Sequence, residues 1–235
     1  MTAVPDREGP EGTRLRVIAL IPAFDEGPRI GDVVAAAAAH LPVVVVDDGS
    51  RDDTAARAAA AGAIVIPQRP NQGKGAALRA GFRHALESGA DAVVTLDADG
   101  QHDPAEIPGF LAAFDRTGAD LVIGRRDFRR MPPVRRLANE LGRVSVSWAI
   151  GRPIPDNQSG YRLVGRRLMA DLLESREAGF EFEVEMITTC LRSGGRLEWV
   201  PIRTIYAGEP SHVRPLTHLR HFVRIVLAAR RAMRG

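Results

Sequence analysis

The sequence contains very little cysteine and no long hydrophobic run. Its one cysteine, Cys190, rules out a disulfide framework, and its place in a predicted helix is more typical of a small buried hydrophobe than of a nucleophile. No apolar stretch approaches the roughly 18 residues that a membrane-spanning helix requires. Residues 1–12 are rich in proline, glycine and charge and lack the apolar core of a secretory signal. We therefore expect a cytoplasmic protein.

Lysine is nearly absent, and the positive charge is placed unevenly. Lys74 is the single lysine, so arginine supplies almost all of the 32 positive side chains. Residues 1–118 contain 11 Lys and Arg against 17 Asp and Glu, whereas residues 119–235 contain 21 against 12. This asymmetry indicates that the second half meets something anionic, such as phosphate, nucleic acid or a membrane surface. Because the sequence contains no recognised nucleic-acid module and no basic surface interleaved with aromatics, we expect no nucleic-acid partner.

Short apolar runs alternate with alanine-rich, helix-favouring segments along the first half of the chain. The apolar runs cover 15–21, 42–46, 63–67 and 91–96, and a predicted helix follows each one. Four such units in a row predict an α/β fold with a Rossmann-like, mostly parallel sheet flanked by helices. The length suits one domain, which we place at 13–212, between a flexible tail at 1–12 and a basic amphipathic helix at 213–235.

Acidic residues follow three of the four predicted strands. The pairs are Asp25 and Glu26, Asp47 and Asp48, and Asp97 and Asp99. Because the carboxyl ends of parallel strands meet at one edge of a sheet, we expect the three pairs to lie together. Such a cluster is costly unless it binds a cation or hydrogen-bond donors such as a nucleobase and ribose hydroxyls. The alternative, that each acid caps the next helix, suits Asp47 or Asp48 but explains Glu26 and Asp99 poorly.

The strand at 91–96 leads into a turn that offers several oxygen atoms. Asp97, Asp99 and Gln101 supply the hard oxygen ligands that Mg²⁺ or Mn²⁺ prefers. The alternative is a polar turn without a ligand, since Asp-rich turns are common. Asp103 is explained without a metal, because Pro104 and Glu106 after it complete the pattern of a helix start.

The basic half of the chain begins with a cluster of arginines. They are Arg125, Arg126, Arg129, Arg130, Arg135 and Arg136. They follow a predicted strand at 120–124, whose carboxyl end we expect beside the strand that carries Asp99. Helices are predicted at 137–150, 180–191 and 216–233, and the last is basic and amphipathic, as in helices that lie on anionic membranes. The alternatives are a solvated arginine loop and a terminal helix that docks its apolar face on the sheet.

Six motifs, in this order, resemble those of family 2 glycosyltransferases. The similarity extends over about 17–211 and is strongest to the dolichol-phosphate mannose synthase and polyprenyl-phosphate glucosyltransferase group. The motifs are Ile21-Pro22-Ala23-Phe24-Asp25-Glu26, Val45-Val46-Asp47-Asp48-Gly49-Ser50, Gly73-Lys74-Gly75, Asp97-Ala98-Asp99-Gly100-Gln101-His102, Gly124-Arg125-Arg126 and Asp156-Asn157-Gln158-Ser159-Gly160-Tyr161-Arg162.

The resemblance implies a GT-A fold, Mg²⁺ or Mn²⁺, and inversion at the anomeric carbon. It implies a nucleotide-sugar donor of the GDP-mannose or UDP-glucose type. The implied donor contacts are Pro22, Phe24, Glu26, Val46 and Asp48 for the nucleoside, Asp97, Ala98 and Asp99 for the diphosphate with its metal, and Lys74 within the same nucleotide-sugar site. Arg125, with Arg135 or Arg136, is implied to meet the acceptor phosphate. Phe24 stands where the family often has Tyr and Asp25 where it usually has Asn, which leaves the donor open.

The chemistry of the acceptor decides which residues are catalytic. A lipid phosphate, with a second pKa of about 6, is largely dianionic at pH 7 and attacks without a strong general base. For that acceptor the catalytic residues are Asp99 and Arg125, whereas an alcohol would need a base, for which Asp156 is the candidate. We expect transfer to a polyprenyl or dolichyl phosphate by a protein peripheral to the inner face of the membrane. The rival hypotheses are an enzyme acting on a soluble or carbohydrate hydroxyl and a non-catalytic nucleotide-sugar-binding partner protein.

Overall fold

The structure is a computed structural model, and it describes residues 7–8, 14–130, 133–175, 177, 179, 181–203 and 215–234. Most of the predicted tail at 1–12 and the predicted boundary at 212–213 lie outside the described residues. The described elements, in chain order, are β1 (Arg7–Glu8), β2 (Arg14–Leu15), β3 (Val17–Ala23), α1 (Gly27–Ala38), β4 (Val43–Asp47), α2 (Thr54–Ala60), β5 (Ile64–Pro67), α3 (Lys74–Glu87), β6 (Ala92–Thr95), α4 (Ile107–Thr117), β7 (Leu121–Arg126), α5 (Pro133–Ile150), β8 (Arg162–Gly165), α6 (Arg166–Leu172), α7 (Glu181–Arg192), β9 (Leu197–Ile202) and α8 (Pro215–Ala232).

Seven of these strands form one sheet in the order β5-β4-β3-β6-β8-β7-β9. All neighbouring pairs are parallel except those of β8, which runs antiparallel to both β6 and β7. The predicted mostly parallel α/β sheet is therefore confirmed. The inner strands β3, β4 and β6 are buried on both faces, which explains why their sequences are continuous apolar runs rather than alternating ones.

The expectation that the strand after 120 lies beside the strand of Asp99 is wrong. β8 inserts between β6 and β7, so that Thr95 of β6 and Ile123 of β7 both pair with Arg162. The chain can enter the sheet there in the antiparallel sense because the loop before β8 already lies at the carboxyl edge of β6. Two strand spacings, about 10 Å, then separate the ends of β6 and β7.

Helices cover both faces of the sheet and create two apolar layers. One layer contains Phe82 of α3 and Ile187 of α7, and the other contains Ile30 of α1 and Phe110 of α4. Alternate residues of each parallel strand serve opposite layers. The sheet is thus the centre of a three-layer sandwich, and the loops at its carboxyl edge are available for a site.

The C-terminal helix α8 docks on the first of these layers. Val226 and Ala229 are buried there, where α8 contacts α5 and α7. The helix thus docks by part of its apolar face, as the alternative interpretation expected, but against α5 and α7 rather than directly on the sheet, and other apolar residues of α8 stay exposed. None of the helices within the described residues is both long enough and apolar enough to cross a membrane.

Candidate active site

The turns after β3 and β4 interlock at the carboxyl edge of the sheet. The side-chain oxygen Oδ1 of Asp25 accepts a hydrogen bond of 2.7 Å from the backbone N–H of Arg51, and the Asp25 N–H donates to Ser50 Oγ at 3.0 Å. Asp25 has a positive φ of 53°, a conformation that Asp and Asn adopt more readily than other side chains. Glu26 of the same turn pairs with Arg29 at 3.1 Å.

An open groove of about 520 Å³ lies over these turns. Its walls are Phe24, Gly49, Ser50, Arg51, Arg69, Pro70 and Asn71. Phe24 is 42% exposed, although a large aromatic side chain gains most from burial, and it offers a flat apolar surface to a ligand. The surrounding arginines and amide supply polar groups at the rim of that surface.

Two of the predicted nucleoside contacts, Asp48 and Val46, have structural roles in the fold. Both carboxylate oxygens of the buried Asp48 accept backbone N–H groups, from Gln72 at 2.8 Å and Gly73 at 2.7 Å. These bonds fix the loop that precedes Lys74. The Val46 side chain is completely buried in the core. Their contacts with a nucleoside stay predictions, as does that of the partly exposed Pro22.

Lys74 lies between two carboxylates, Asp97 and Glu183. Its ammonium is 2.6 Å from Oδ1 of Asp97 and 2.9 Å from Oε1 of Glu183. Burial lowers the pKa of Lys74, but the two carboxylates outweigh this effect and raise the pKa above its usual value. Burial likewise raises the pKa of Asp97, whereas Lys74 and then His102 lower it to about 2. The lysine and Asp97 are therefore both charged at neutral pH.

His102, which the sequence analysis did not select, holds the turn that carries Asp97. Its Nδ1 atom accepts the backbone N–H of Asp97 at 3.1 Å, so the neutral ring carries its proton on Nε2. Burial lowers the pKa of His102 to about 4, which keeps the ring neutral at physiological pH. The ring packs against Tyr161, whose hydroxyl donates to the carbonyl of Asp103.

The other predicted metal ligands, Asp99 and Gln101, follow Asp97 in the same turn. Asp99 is partly exposed, and its Oδ1 atom accepts the backbone N–H of Gln101 at 2.9 Å. Across the described part of the chain, no group of three or more His, Cys, Asp or Glu side chains is arranged to hold a metal ion. Mg²⁺ commonly uses one or two carboxylates and completes its shell with water and substrate phosphates. The donor set of Asp97, Asp99 and Gln101 fits a metal that arrives with a phosphate ligand.

Arg126, at the end of β7, forms an ion pair with Asp156. The Nε and Nη2 atoms of Arg126 donate to the two carboxylate oxygens of Asp156 at 2.7 and 2.9 Å. The fully buried Asp156 also accepts the backbone N–H groups of Gln158 and Ser159. With its lone pairs engaged in this way, Asp156 is poorly placed to act as the base that an alcohol acceptor would need.

The predicted acceptor arginines differ in their surroundings. Arg125 precedes Arg126 on β7, so the two side chains leave opposite faces of the strand. Arg125 is exposed, and its side chain makes no hydrogen bond or ion pair with the other described residues. Arg136 is exposed on α5, and the side chain of Arg135 lies outside the described part.

A buried arginine ties the Asp156 loop to α7. The fully buried Arg162 donates to the backbone carbonyls of Ser159, Asn157 and Glu183. Burial lowers the pKa of Arg162 to about 10. The loop also passes so close to the site that a Cβ atom on Gly160 would lie 2.8 Å from Asp97 Oδ2 and 2.9 Å from Lys74 Nζ.

Glu183, Arg126 and His102 are the site residues that sequence reasoning missed. Arg126 and His102 stand inside quoted motifs, so the motifs themselves were the signal. Glu183 had no such signal, because it is one of three alternate glutamates on a predicted helix and only the fold brings it to Lys74.

Comparison with known sequences places these residues in a family. The model of the family described as Glycosyl transferase family 2 matches residues 18–172, about two thirds of the chain. An undecaprenyl-phosphate mannosyltransferase of Micrococcus luteus is 37% identical over 150 residues, which are 59% of each chain. A UDP-N-acetylglucosamine–dolichyl-phosphate N-acetylglucosaminyltransferase of Methanococcus voltae is 32% identical over 61% of this chain and 59% of that one. The chain thus spans about three fifths of the length of these relatives.

Solved structures confirm the GT-A fold. Glucosyl-3-phosphoglycerate synthase from Mycobacterium tuberculosis, in complex with phosphoglyceric acid, superposes with a TM-score of 0.72 at 23% identity. The similarity covers 92% of this chain and 80% of that one. The same enzyme in complex with Mg²⁺ and uridine diphosphate gives a TM-score of 0.70 at 24% identity, over 92% and 79% of the two chains.

Proposed function

Because this chain belongs to glycosyl transferase family 2, we propose that it transfers a hexose from a nucleotide sugar to a polyprenyl or dolichyl phosphate, with inversion at the anomeric carbon. The observation that carries this proposal is that one chain contains both an Asp97–Asp99 turn and a basic and apolar surface on α5 and α8. The names of relatives support the acceptor, since they include enzymes acting on undecaprenyl and dolichyl phosphate.

The donor would lie across the carboxyl edge of the sheet. The exposed ring of Phe24 would stack on the nucleobase in the groove, with Pro22 and Glu26 beside the nucleoside and Val46 and Asp48 beneath it. The diphosphate would then extend toward the turn that carries Ala98 and Asp99. Lys74 and Asp97 lie at that end of the edge as an ion pair.

A divalent Mg²⁺ or Mn²⁺ ion, when bound, neutralises the charge that builds on the leaving diphosphate. Asp97, Asp99 and Gln101 would hold it together with the phosphate oxygens. The chain's own contribution is to keep these oxygens fixed before the donor arrives. His102 fixes the Asp97 backbone, and the Gln101 N–H orients the Asp99 carboxylate, so little reorganisation is left for the reaction.

The arginine side chains at the end of β7 and on α5 are suited to bind a phosphate acceptor. Arg125 is exposed at the end of β7, and a guanidinium can bind a phosphate through two parallel hydrogen bonds. Arg136, or Arg135, would add a second cation. A phosphate dianion needs no general base, whereas a hydroxyl acceptor does, and Asp156 is already committed to Arg126. This contact favours the lipid phosphate over a soluble hydroxyl.

An exposed apolar stripe on α5 supports a location at a membrane surface. Six of the eight large hydrophobic side chains that are exposed in the described part of the chain lie on α5 and α8: Leu137, Leu141, Val144, Trp148, Val223 and Leu227. The two helices pack against each other, and we propose that their exposed residues belong to one surface. Arg136 adjoins the stripe and would favour anionic lipids. We infer a peripheral protein at the cytoplasmic face of the membrane.

The direct test incubates the purified protein with vesicles that contain polyprenyl phosphate and a panel of labelled nucleotide sugars. We expect label to enter an organic-extractable product only with one donor and only with Mg²⁺ or Mn²⁺. An Asp99→Asn variant provides the background. Transfer to a soluble hydroxyl in the absence of lipid, or no reaction with any donor, would contradict the proposal.

A further inference from the structure

Glu183 lies behind Lys74 as seen from the candidate donor site. Its side chain is only 4% exposed, compared with 19% for Lys74 and 28% for Asp97. Its Oε1 atom is 2.9 Å from the lysine ammonium, and its Oε2 atom is enclosed without a hydrogen-bond partner among the residues that the structure describes. Burying a carboxylate oxygen without a hydrogen-bond partner destabilises the folded protein, so the presence of such an oxygen calls for an explanation.

We propose that Glu183 is a positioning residue that lets Asp97 release Lys74 when the donor and its metal arrive. This inference rests on the proposed function, because it assigns Asp97 to the donor diphosphate and metal. Glu183 would not touch the donor. It would act through Lys74, which keeps one anionic partner when Asp97 binds the metal.

The argument follows from the cost of leaving a buried charge alone. In the structure, Oδ1 of Asp97 is taken up by Lys74 at 2.6 Å. A metal that binds this carboxylate must displace the ammonium, and a largely enclosed ammonium that loses its anionic partners is strongly unfavourable. Glu183 removes most of that cost, since Oε1 already holds the lysine and Oε2 can accept a second N–H. When Asp97 exchanges Lys74 for the metal, only one ion-pair contact is lost, and Lys74 keeps Glu183 as its partner.

Glu183 is itself held in place, as a positioning residue must be. It lies in the first turn of α7, and its backbone carbonyl accepts a hydrogen bond from the fully buried Arg162. The same guanidinium binds the carbonyls of Asn157 and Ser159, in the loop that brings Gly160 against Asp97 and Lys74. The lysine is thus the member of the trio that can shift, because the backbones of Asp97 and Glu183 are both held by hydrogen bonds and the long lysine side chain lies between their carboxylates.

The test is Glu183→Gln, which keeps the shape and removes the charge. UDP and GDP are each titrated calorimetrically into wild type and variant, with and without Mn²⁺. We expect the Mn²⁺-dependent affinity to fall by about 10- to 100-fold, the usual effect of removing a residue that supports a metal ligand. Without Mn²⁺, nucleotide affinity should stay equal or increase slightly, because the variant removes a negative charge near an anionic ligand. Glu183→Asp should recover part of the Mn²⁺-dependent affinity.

Glu185→Gln is the matched control, since Glu185 lies on the same helix and hydrogen-bonds to Ser175 away from the site. A second comparison separates action through Lys74 from a general electrostatic effect. Adding Glu183→Gln to a Lys74→Gln variant should change the Mn²⁺-dependent affinity by less than about twofold, because coupled residues are not additive.

Three outcomes overturn the inference. The first is equal Mn²⁺-dependent affinity in wild type and Glu183→Gln. The second is an equal loss in the Glu185→Gln control, and the third is an undiminished effect in the Lys74→Gln background. If the wild type itself binds neither UDP nor GDP in the presence of Mn²⁺, the proposed function fails and this inference fails with it.

Discussion

Arg126 binds the buried carboxylate of Asp156 through two nearly parallel hydrogen bonds of 2.7 and 2.9 Å. This pair anchors the loop after α5 to the end of β7. Its neighbour Arg125 leaves the opposite face of the strand and is exposed. The two adjacent arginines therefore have separate roles, one in holding the fold and one available to a ligand.

Arg126→Ala should lower the free energy of unfolding by about 3 kcal/mol, because it leaves the Asp156 carboxylate buried without its cation. Urea unfolding followed by circular dichroism measures this change. Arg129→Ala is the control, since Arg129 is 82% exposed and pairs with Asp127 at the surface, where the loss should stay within about 0.5 kcal/mol. Equal destabilisation by the two variants would contradict a structural role for Arg126.

Arg125→Ala should reduce transfer to polyprenyl phosphate strongly and leave nucleotide-sugar affinity with Mn²⁺ within a few fold. The reason is that only the acceptor phosphate loses the guanidinium that binds it through two hydrogen bonds. Arg125→Lys should recover only part of the rate, because an ammonium lacks the planar fork of a guanidinium. Calorimetry and transfer assays on the same preparations separate the two effects. A loss of donor affinity with unchanged acceptor dependence would move Arg125 to the diphosphate site.

Asp99→Ala should reduce turnover by roughly 10²- to 10³-fold, the usual effect of losing one group that stabilises a developing charge. EDTA should abolish transfer reversibly, with recovery on addition of Mg²⁺ or Mn²⁺. Asp103→Ala is the nearby control, because Asp103 only caps the following helical turn through the Ala105 N–H. Full activity in metal-free buffer would rule out the metal role of Asp97 and Asp99.

Gly160→Ala should weaken Mn²⁺-dependent nucleotide binding by about tenfold, because the new methyl group would displace the Asp97–Lys74 pair that it meets at 2.8 to 2.9 Å. Gly31→Ala in α1 is a suitable control, since nothing lies within 4 Å of its added Cβ. Calorimetry measures both variants. Unchanged binding by Gly160→Ala would show that the loop retreats without disturbing the site.

The double variant Leu141→Glu/Val144→Glu should reduce the partition coefficient onto anionic vesicles by at least about tenfold. Both side chains are more than half exposed, and burial of each in lipid is worth about 1.5 kcal/mol or more. Sedimentation with vesicles measures the partition. Ile64→Glu, at an exposed position on the edge strand β5, controls for the added charge. Equal vesicle binding by the double variant and wild type would exclude this surface as the membrane contact.

The sequence alone determined the order of strands and helices in the first half and the fold class. Strands β3, β4 and β6 are continuous apolar runs, and burial on both faces of a parallel sheet requires such runs. It also determined which acidic residues lie near the carboxyl edge of the sheet, because each stands at or just after the end of a strand. These features are local, since a residue's own position along a periodic element fixes the face or the end on which it lies.

Only the tertiary structure decided which charged groups are partners. The insertion of β8 separated the ends of β6 and β7, which the sequence analysis had expected to lie side by side. The pairs of Lys74 with Glu183 and of Arg126 with Asp156 join residues from separate elements. No periodic pattern records such a choice, because the energy of a buried charge depends on the groups that surround it in space, and packing alone brings those groups together.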